Sequence, residues 1–206
     1  MADSTPNPAL HERTSLVGSE HVDAFISHSW QDDATLKWAA LQLWRTEFVA
    51  THDREPRVWI DKCCIDQTDI DSNLMCLPIF LAQCDKLLLL CGNTYLKRIW
   101  CVLEMFVFLE MGKLFTNVTL LPLEIDGTPT ERFEDFEVND ANCYRAEDRD
   151  KLLSILETGP GGLQGFNCHV RSMLRSLLQK TSKQNKNKLS QALEQSAQVA
   201  NLLELA

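Results

Sequence analysis

The sequence has no long hydrophobic run, no excess of positive charge and no Cys-x-x-Cys pair. A helix that crosses a bilayer needs roughly 20 consecutive apolar residues, so we expect no membrane span. The formal net charge of −9 opposes binding to nucleic acid, because nucleic-acid-binding proteins neutralise phosphates with Lys and Arg. We therefore expect no membrane span and no nucleic acid among the partners.

Eight cysteines are present, but their spacing predicts neither a disulfide framework nor a zinc site. Cys84, Cys91 and Cys101 lie within apolar runs, which is typical of free, buried thiols in a reducing compartment. The adjacent residues Cys63 and Cys64 would seldom point at one metal. We expect a cytoplasmic protein that holds no metal.

Length and composition predict one globular domain. The chain has 206 residues, of which 45% are hydrophobic and 24% charged, and this is enough for one sizeable core. Residues 1–20 lack the basic start and apolar core of a signal peptide, and we interpret them as a disordered leader. We assign residues 21–178 to the domain and residues 179–206 to a C-terminal helical extension.

Short apolar runs alternate along the domain with segments of helical periodicity. Strands are predicted at 22–27, 57–61, 86–91 and 118–125, with a short fifth strand at 167–170. Helices are predicted at about 34–50, 74–83, 98–111 and 147–157, and residues 128–146 are interpreted as a surface excursion. The third strand has no polar face, as expected of a parallel sheet with helices on both faces. The alternation predicts a flavodoxin-like, doubly wound α/β sheet with strand order 2-1-3-4-5.

The C-terminal extension combines a polar stretch, 179–188, with a later apolar stripe. The stripe residues recur at spacings of three or four and are Leu189, Leu193, Ala197, Ala200 and Leu203. This spacing predicts a helix with one apolar face. Two uses of that face stay open, since it would either pack back on the domain or join copies of the chain.

Glu104 is the most informative residue, because it stands alone within the apolar run 99–109. Removing a carboxylate from water costs several kcal/mol unless partners or a ligand compensate. A purely structural role is open as well, since an acid near a helix N-terminus gains about 0.3 to 1 kcal/mol from the helix dipole. Trp100 lies one turn before Glu104 on the same helix face, so the two side chains would line one wall.

Strand order predicts where such a wall would lie. Ligands of open α/β sheets bind at the carboxyl ends of the strands, at the point where the strand order reverses. For this order the point falls between the first and third strands. The loops there are 27–30 and 91–95, and the helix with Glu104 follows the second of them. We therefore expect Glu104 at the edge of this crevice.

Other kinds of site fit the sequence less well. Neither the dinucleotide motif Gly-x-Gly-x-x-Gly nor the P-loop motif occurs. The phosphoacceptor Asp of a receiver domain would stand at the end of the third strand, where this chain has Cys91 and Gly92. Ser27 and His28 are adjacent, and adjacent residues rarely align as nucleophile and base. We interpret Ser27 and His28 as ligand contacts.

Two segments resemble TIR (Toll/interleukin-1 receptor) domains. Residues 23–27, Asp-Ala-Phe-Ile-Ser, resemble the opening strand of the family. Residues 100–104, Trp-Cys-Val-Leu-Glu, resemble the Trp-Cys-x-x-Glu segment of plant immune-receptor TIR domains. Gly92 and the later Gly112 and Lys113 follow in the expected order, so the resemblance covers roughly residues 22–170. The Arg-Asp-x-x-Pro-Gly loop of signalling adaptors is absent after the second strand.

In enzymatic members of this family the matching Glu cleaves NAD⁺ at the nicotinamide-ribosyl bond. The resemblance therefore implies an NAD⁺ glycohydrolase that releases nicotinamide and ADP-ribose or a cyclic product, with NAD⁺ as substrate and no cofactor. One carboxylate is enough, because nicotinamide leaves as a neutral molecule from a cationic pyridinium. The remaining task is to stabilise an oxocarbenium-like ribose. The alternative is a non-catalytic TIR-like interaction module in immune or stress signalling.

The resemblance also implies roles for individual residues. Glu104 would be catalytic, Trp100 would pack against the nicotinamide ring, and Lys62 would approach a phosphate. The expected substrate contacts are Ser27, His28, Ser29, Trp30, Asp61, Lys62, Gly92, Trp100 and Cys101. His28, Ser29 and Trp30 replace basic residues that often follow the first strand in the family. A homo-oligomer is implied too, because such enzymes often complete their site with a loop from a neighbouring copy.

Overall fold

The computed structural model describes residue 14 and residues 22–64, 76–123, 133–143 and 145–180. Four strands form one sheet: β1 Val22–His28, β2 Val58–Ile60, β3 Cys84–Cys91 and β4 Val118–Pro122. Every neighbouring pair runs parallel, and the order is β2-β1-β3-β4. The fold is therefore α/β, and the four strands stand in the order predicted for the first four.

Six helices connect or follow the strands in the described ranges. They are α1 Ala34–His52, α2 Asp61–Cys64, α3 Leu77–Ala82, α4 Ile99–Glu110, α5 Ala146–Glu157 and α6 Gly162–Lys180. Short 3-10 turns lie at Tyr95–Lys97, Phe115–Asn117 and Val138–Asp140. Asp33 caps the start of α1, since its side chain accepts a hydrogen bond of 2.9 Å from the Leu36 N–H. The side chain of its neighbour Asp32 is therefore not needed for this cap.

Helices cover both faces of the sheet. Alternate residues of a strand point to opposite faces, so Phe25 belongs to one apolar cluster and Ala24 and Ile26 to the other. Helix α1 covers the second cluster with Ala39 and Ala40. Helices α3, α4 and α6 contribute to the first and larger cluster. The two-sided covering was predicted from the apolar third strand and is confirmed.

The predicted fifth strand at 167–170 is wrong, because these residues lie within α6. The buried residues of this segment recur at spacings of three and four, which is the period of a helix. They are Phe166, Val170, Met173, Leu174 and Leu177. Asn167 is buried on the same helix, and its Oδ1 accepts a hydrogen bond of 2.8 Å from the Val138 N–H.

Part of the segment interpreted as a surface excursion belongs to the core. Phe133, Phe136, Val138 and Ala141 are buried in the larger apolar cluster. The next residue, Asn142, clasps the start of α4. Its N–H donates to the Lys97 carbonyl at 2.8 Å, and its carbonyl accepts from the Ile99 N–H at 3.2 Å. This clasp fixes the entry to the helix that carries Glu104.

Two predicted segments fall outside the described residues. The leader 1–20 is described only at Thr14, and the extension is described only as far as Lys180, where α6 ends. Both assignments stay predictions.

Among the helices described here, none combines the length and the apolar character that crossing a bilayer requires.

Candidate functional site

Glu104 lies in the second turn of α4, and α4 packs against β1 and β3. As predicted, the helix after the third strand carries Glu104 beside the strand ends. The side chain is buried, with 9% of the residue surface exposed. One carboxyl oxygen, Oε2, has no hydrogen-bond partner within the described part of the chain. A buried oxygen without a partner is costly and calls for a functional explanation.

Burial raises the pKa of Glu104 to about 8. Hydrogen bonding with Ser27 opposes this shift, and the nearby charge of Asp61 adds to it. This environment thus favours the protonated acid at neutral pH. A ligand that brings hydroxyl donors or positive charge would favour the carboxylate instead.

Ser27 and Tyr95 form a buried pair beneath Glu104. The Tyr95 hydroxyl donates to the Cys101 carbonyl at 3.0 Å and lies 2.6 Å from Ser27 Oγ. Both side chains have no exposed surface, and burial raises the pKa of Tyr95 well above its ordinary value. The phenol therefore stays neutral and holds Ser27 in place. Sequence reasoning missed Tyr95, although it lies within the loop 91–95 that was assigned to the crevice.

Four predicted contacts meet around the carboxylate of Asp61, the first residue of α2. Trp30 Nε1 donates to Asp61 Oδ2 at 2.6 Å, and the Lys62 N–H donates to Oδ1 at 2.6 Å. His28 Nε2 lies 3.7 Å from Oδ1. The Lys62 ammonium lies 5.9 Å from the centre of the Trp30 ring. The end of β1 and the end of β2 therefore share one polar cluster.

Ser29 and Gly92 belong to a second cluster, which holds the loop after β3 against the loop after β1. The Thr94 hydroxyl lies 2.7 Å from both Ser29 Oγ and Asp32 Oδ1, and the Thr94 N–H donates to Asp32 Oδ1 at 2.9 Å. A side chain on Gly92 would place its Cβ within 2.5 to 2.7 Å of the Asp32 carboxylate. The structure thus uses Gly92 to make room for Asp32. Asp32 and Thr94 were not predicted as site residues.

Trp100 and Cys101 complete the predicted set. Trp100 is partly buried and packs against the larger apolar cluster one turn before Glu104. Cys101 Sγ donates to the His28 carbonyl at 3.4 Å. Burial and the neighbouring Glu104 raise the pKa of the Cys101 thiol well above its usual range. Because the nucleophile is the thiolate, Cys101 supports the site by packing rather than by reaction.

Buried side-chain atoms without a hydrogen-bond partner concentrate at this place. In the described ranges they are His28 Nδ1, Asp32 Oδ2 and Glu104 Oε2. One is at the end of β1, one stands between β1 and α1, and one lies on α4. No group of three His, Cys, Asp or Glu side chains in these ranges is arranged to hold a metal. Water or a ligand that offers hydrogen bonds would satisfy the unpartnered atoms.

Comparison of the chain with protein-family models, with curated proteins and with solved structures gave no match. The fold and the site define the protein as an α/β domain with a buried carboxyl group, one oxygen of which has no partner in the described ranges, beside the carboxyl ends of its central strands. The chemistry of that carboxylate carries the functional argument.

Proposed function

We propose that the protein is an NAD⁺ glycohydrolase with a flavodoxin-like, TIR-type domain, in which Glu104 is the catalytic residue. The observation that carries the proposal is the buried carboxyl group of Glu104, which has an oxygen without a partner beside the ends of β1 and β3. A position of this kind is where open α/β sheets bind ligands. The Trp-Cys-x-x-Glu segment supports the same assignment.

The reaction asks little more than one carboxylate. The bond from ribose C1′ to the pyridinium nitrogen breaks, and its electron pair leaves with neutral nicotinamide. The ribose becomes oxocarbenium-like, and water adds to C1′ and loses a proton, which gives ADP-ribose. The carboxylate of Glu104 would stabilise the developing positive charge and accept hydrogen bonds from the ribose hydroxyls. Trp100, one turn away, would pack against the departing ring.

The protonation state of Glu104 gives the proposal a pH signature. Burial raises the pKa of Glu104 to about 8, and the ionised form is the one that stabilises a cation. The value of kcat/KM reports groups of the free enzyme, so it should rise with pH up to about pH 8 and then level off. A profile that falls across this range would contradict the assignment.

The decisive experiment measures nicotinamide released from NAD⁺ by the purified full chain. Glu104→Gln should lower turnover by about a hundredfold or more, the loss seen when one group that stabilises a transition state is removed. Glu110→Gln is the matched control, since Glu110 lies on the same helix with an exposed side chain that contacts His169. Equal turnover of wild type and Glu104→Gln, or none in the wild type, would refute the proposal.

A non-catalytic interaction module is the second candidate, and exposed apolar side chains favour it. Trp38 on α1 is 59% exposed and Ile79 on α3 is 58% exposed. Large apolar groups at the surface are typical of contact sites. Under this proposal copies of the chain would associate through their helices. Light scattering of the wild type beside Trp38→Ser would show a lower mass for the variant, whereas an unchanged mass would remove α1 from the interface.

A further inference from the structure

Two lysines approach Trp30 from different directions. The Lys37 ammonium donates to the Ser29 carbonyl at 2.9 Å and to the Trp30 carbonyl at 3.5 Å. The Lys62 ammonium lies 5.9 Å from the centre of the Trp30 ring. Lys37 comes from the first turns of α1 and Lys62 from α2. Two positive charges therefore flank one loop at the carboxyl end of β1.

Lys37 is poorly placed for a purely structural charge. It is half-buried, and cations near a helix N-terminus oppose the helix dipole. An ammonium has three N–H donors, and the two loop carbonyls use two of them. Within the described ranges Lys37 makes no ion pair with a carboxylate. Burial lowers the pKa of Lys37, and the charges of Asp32 and Asp61 oppose that shift. An anion beside Lys37 would stabilise its charged form.

The acids nearest to the lysines are held by neutral donors. The Asp61 carboxylate accepts hydrogen bonds from Trp30 Nε1 and the Lys62 backbone N–H. The Asp32 carboxylate accepts from the Thr94 N–H. These bonds hold the two carboxylates in the loops without using the Lys37 ammonium. The third donor of Lys37 is thus left for a ligand.

We propose that Lys37 and Lys62 form a subsite for the diphosphate of a dinucleotide substrate. The inference rests on the proposed function, because it names the part of NAD⁺ that follows the ribose held by Glu104. Ser27 near the end of β1 hydrogen-bonds to Glu104, and Trp30 lies three residues later, in the loop that follows β1. A diphosphate joined to the ribose through C5′ would extend from Glu104 toward Trp30. Lysine suits such a group, since its ammonium binds phosphate oxygens as a point charge.

Calorimetric titration of the full chain with ADP and with adenosine tests the subsite without requiring hydrolysis. The wild type should bind ADP more tightly than adenosine. Lys37→Met should weaken ADP binding by about tenfold, the scale of one charge-assisted hydrogen bond, and leave adenosine binding within about twofold. Lys37→Arg should retain most of the ADP affinity. Lys151→Met, an exposed lysine on α5, is the control and should change neither affinity.

Three results would overturn the subsite. Equal affinity of the wild type for ADP and adenosine would show that no phosphate is recognised. Equal weakening of both ligands by Lys37→Met would show that Lys37 only supports the loop. No change in either would show that Lys37 faces no ligand. If Lys37→Met does not fold, Lys62→Met takes the same test, with a loss of ADP affinity expected and an unchanged affinity contradicting the proposal.

The two proposals can fail separately. ADP lacks the nicotinamide-ribosyl bond, so its binding does not depend on catalysis by Glu104. Tight ADP binding without nicotinamide release would leave the diphosphate subsite standing and remove the hydrolase. If nicotinamide is released but neither ADP binding nor the KM for NAD⁺ depends on Lys37, the hydrolase stands and the diphosphate subsite is removed.

Discussion

The two ends of the sheet each hold a buried acid, and they hold it in opposite ways. Asp23 at the start of β1 and Glu104 beside its end each have 9% of the residue surface exposed. Arg54 donates two hydrogen bonds of 2.7 Å to Asp23, and the Arg57 N–H adds a third at 2.8 Å. Glu104 keeps one oxygen without a partner. Equal exposure therefore conceals two different environments.

The pKa values of the two acids move in opposite directions because different causes dominate. The hydrogen bonds from Arg54 lower the pKa of Asp23 and outweigh the effect of its burial. At Glu104 burial dominates and raises the pKa to about 8. The Arg54 side chain that contacts Asp23 is itself half exposed, whereas Glu104 lies on a helix that packs against β1 and β3. Partners, rather than exposure alone, separate an acid that supports the fold from one that is available for chemistry.

The largest expected effect on stability is at Glu104. Its pKa is higher in the folded than in the unfolded chain, so its contribution is full below about pH 4.5 and is lost as pH rises toward about 8. Glu104→Gln carries no proton to lose, so it should match the wild type near pH 5 and exceed it by a few kcal/mol at pH 8. Urea unfolding at both pH values measures this difference. A constant difference between the two proteins would show that Glu104 is ionised in the folded state.

Gly92→Ala tests Asp32, whose hydrogen bonding is intermediate between that of Asp23 and that of Glu104. Asp32 resembles Asp23 in having one oxygen held by hydrogen bonds and Glu104 in having one oxygen without a partner. The added Cβ would stand within 2.5 to 2.7 Å of its carboxylate and displace it from Thr94. We expect a loss of about 1 to 3 kcal/mol in the free energy of unfolding, the usual effect of overpacking. Unchanged stability in thermal unfolding would mean that Asp32 moves freely and that Thr94 does not depend on it.

Asp23→Asn should have the smallest effect of the three and should act on stability alone. It removes the charge that Arg54 holds, and we expect a loss of about 1 kcal/mol because half of the Arg54 side chain is in solvent. The loss should be seen above the ordinary pKa of an Asp and should fade in acid, where the folded wild type is protonated too. Nicotinamide release should not change. A variant with wild-type stability and reduced turnover would show that Asp23 serves the reaction rather than the fold.

Much of the fold was predictable because its strands are plain apolar runs. β1, β3 and β4 follow mainly apolar segments, and the ends of parallel strands must meet at one edge. Strand order therefore predicted that the loops 27–30 and 91–95 meet, whereas Asp61 and Lys62 were expected from the resemblance. The segment 167–170 was wrongly predicted as a strand, because four residues are too few to separate the period of a strand from that of a helix.

The residues missed by sequence reasoning depend on contacts between distant loops. Tyr95 matters because it reaches Ser27, and Thr94 because it reaches Asp32. Neither contact leaves a pattern along the chain. Asp32 could have been noticed in the sequence, because a helix N-terminus needs one capping acid and the sequence offers two adjacent ones. Lys37 could have been noticed as well, because it is a cation in the first turns of a helix.

The clasp between Asn142 and the start of α4 bears on how the protein matures on the ribosome. All four strands and α4 leave the ribosome before Asn142 does, but the Lys97 carbonyl and the Ile99 N–H lack their bonds to Asn142 until that residue arrives. The segment around Asn142 is held in turn by Arg149, which donates to the Ala141 carbonyl at 2.9 Å, and by Asn167. A nascent chain that has completed its sheet is therefore still without a finished site. The site should be complete only once α6 has emerged and docked.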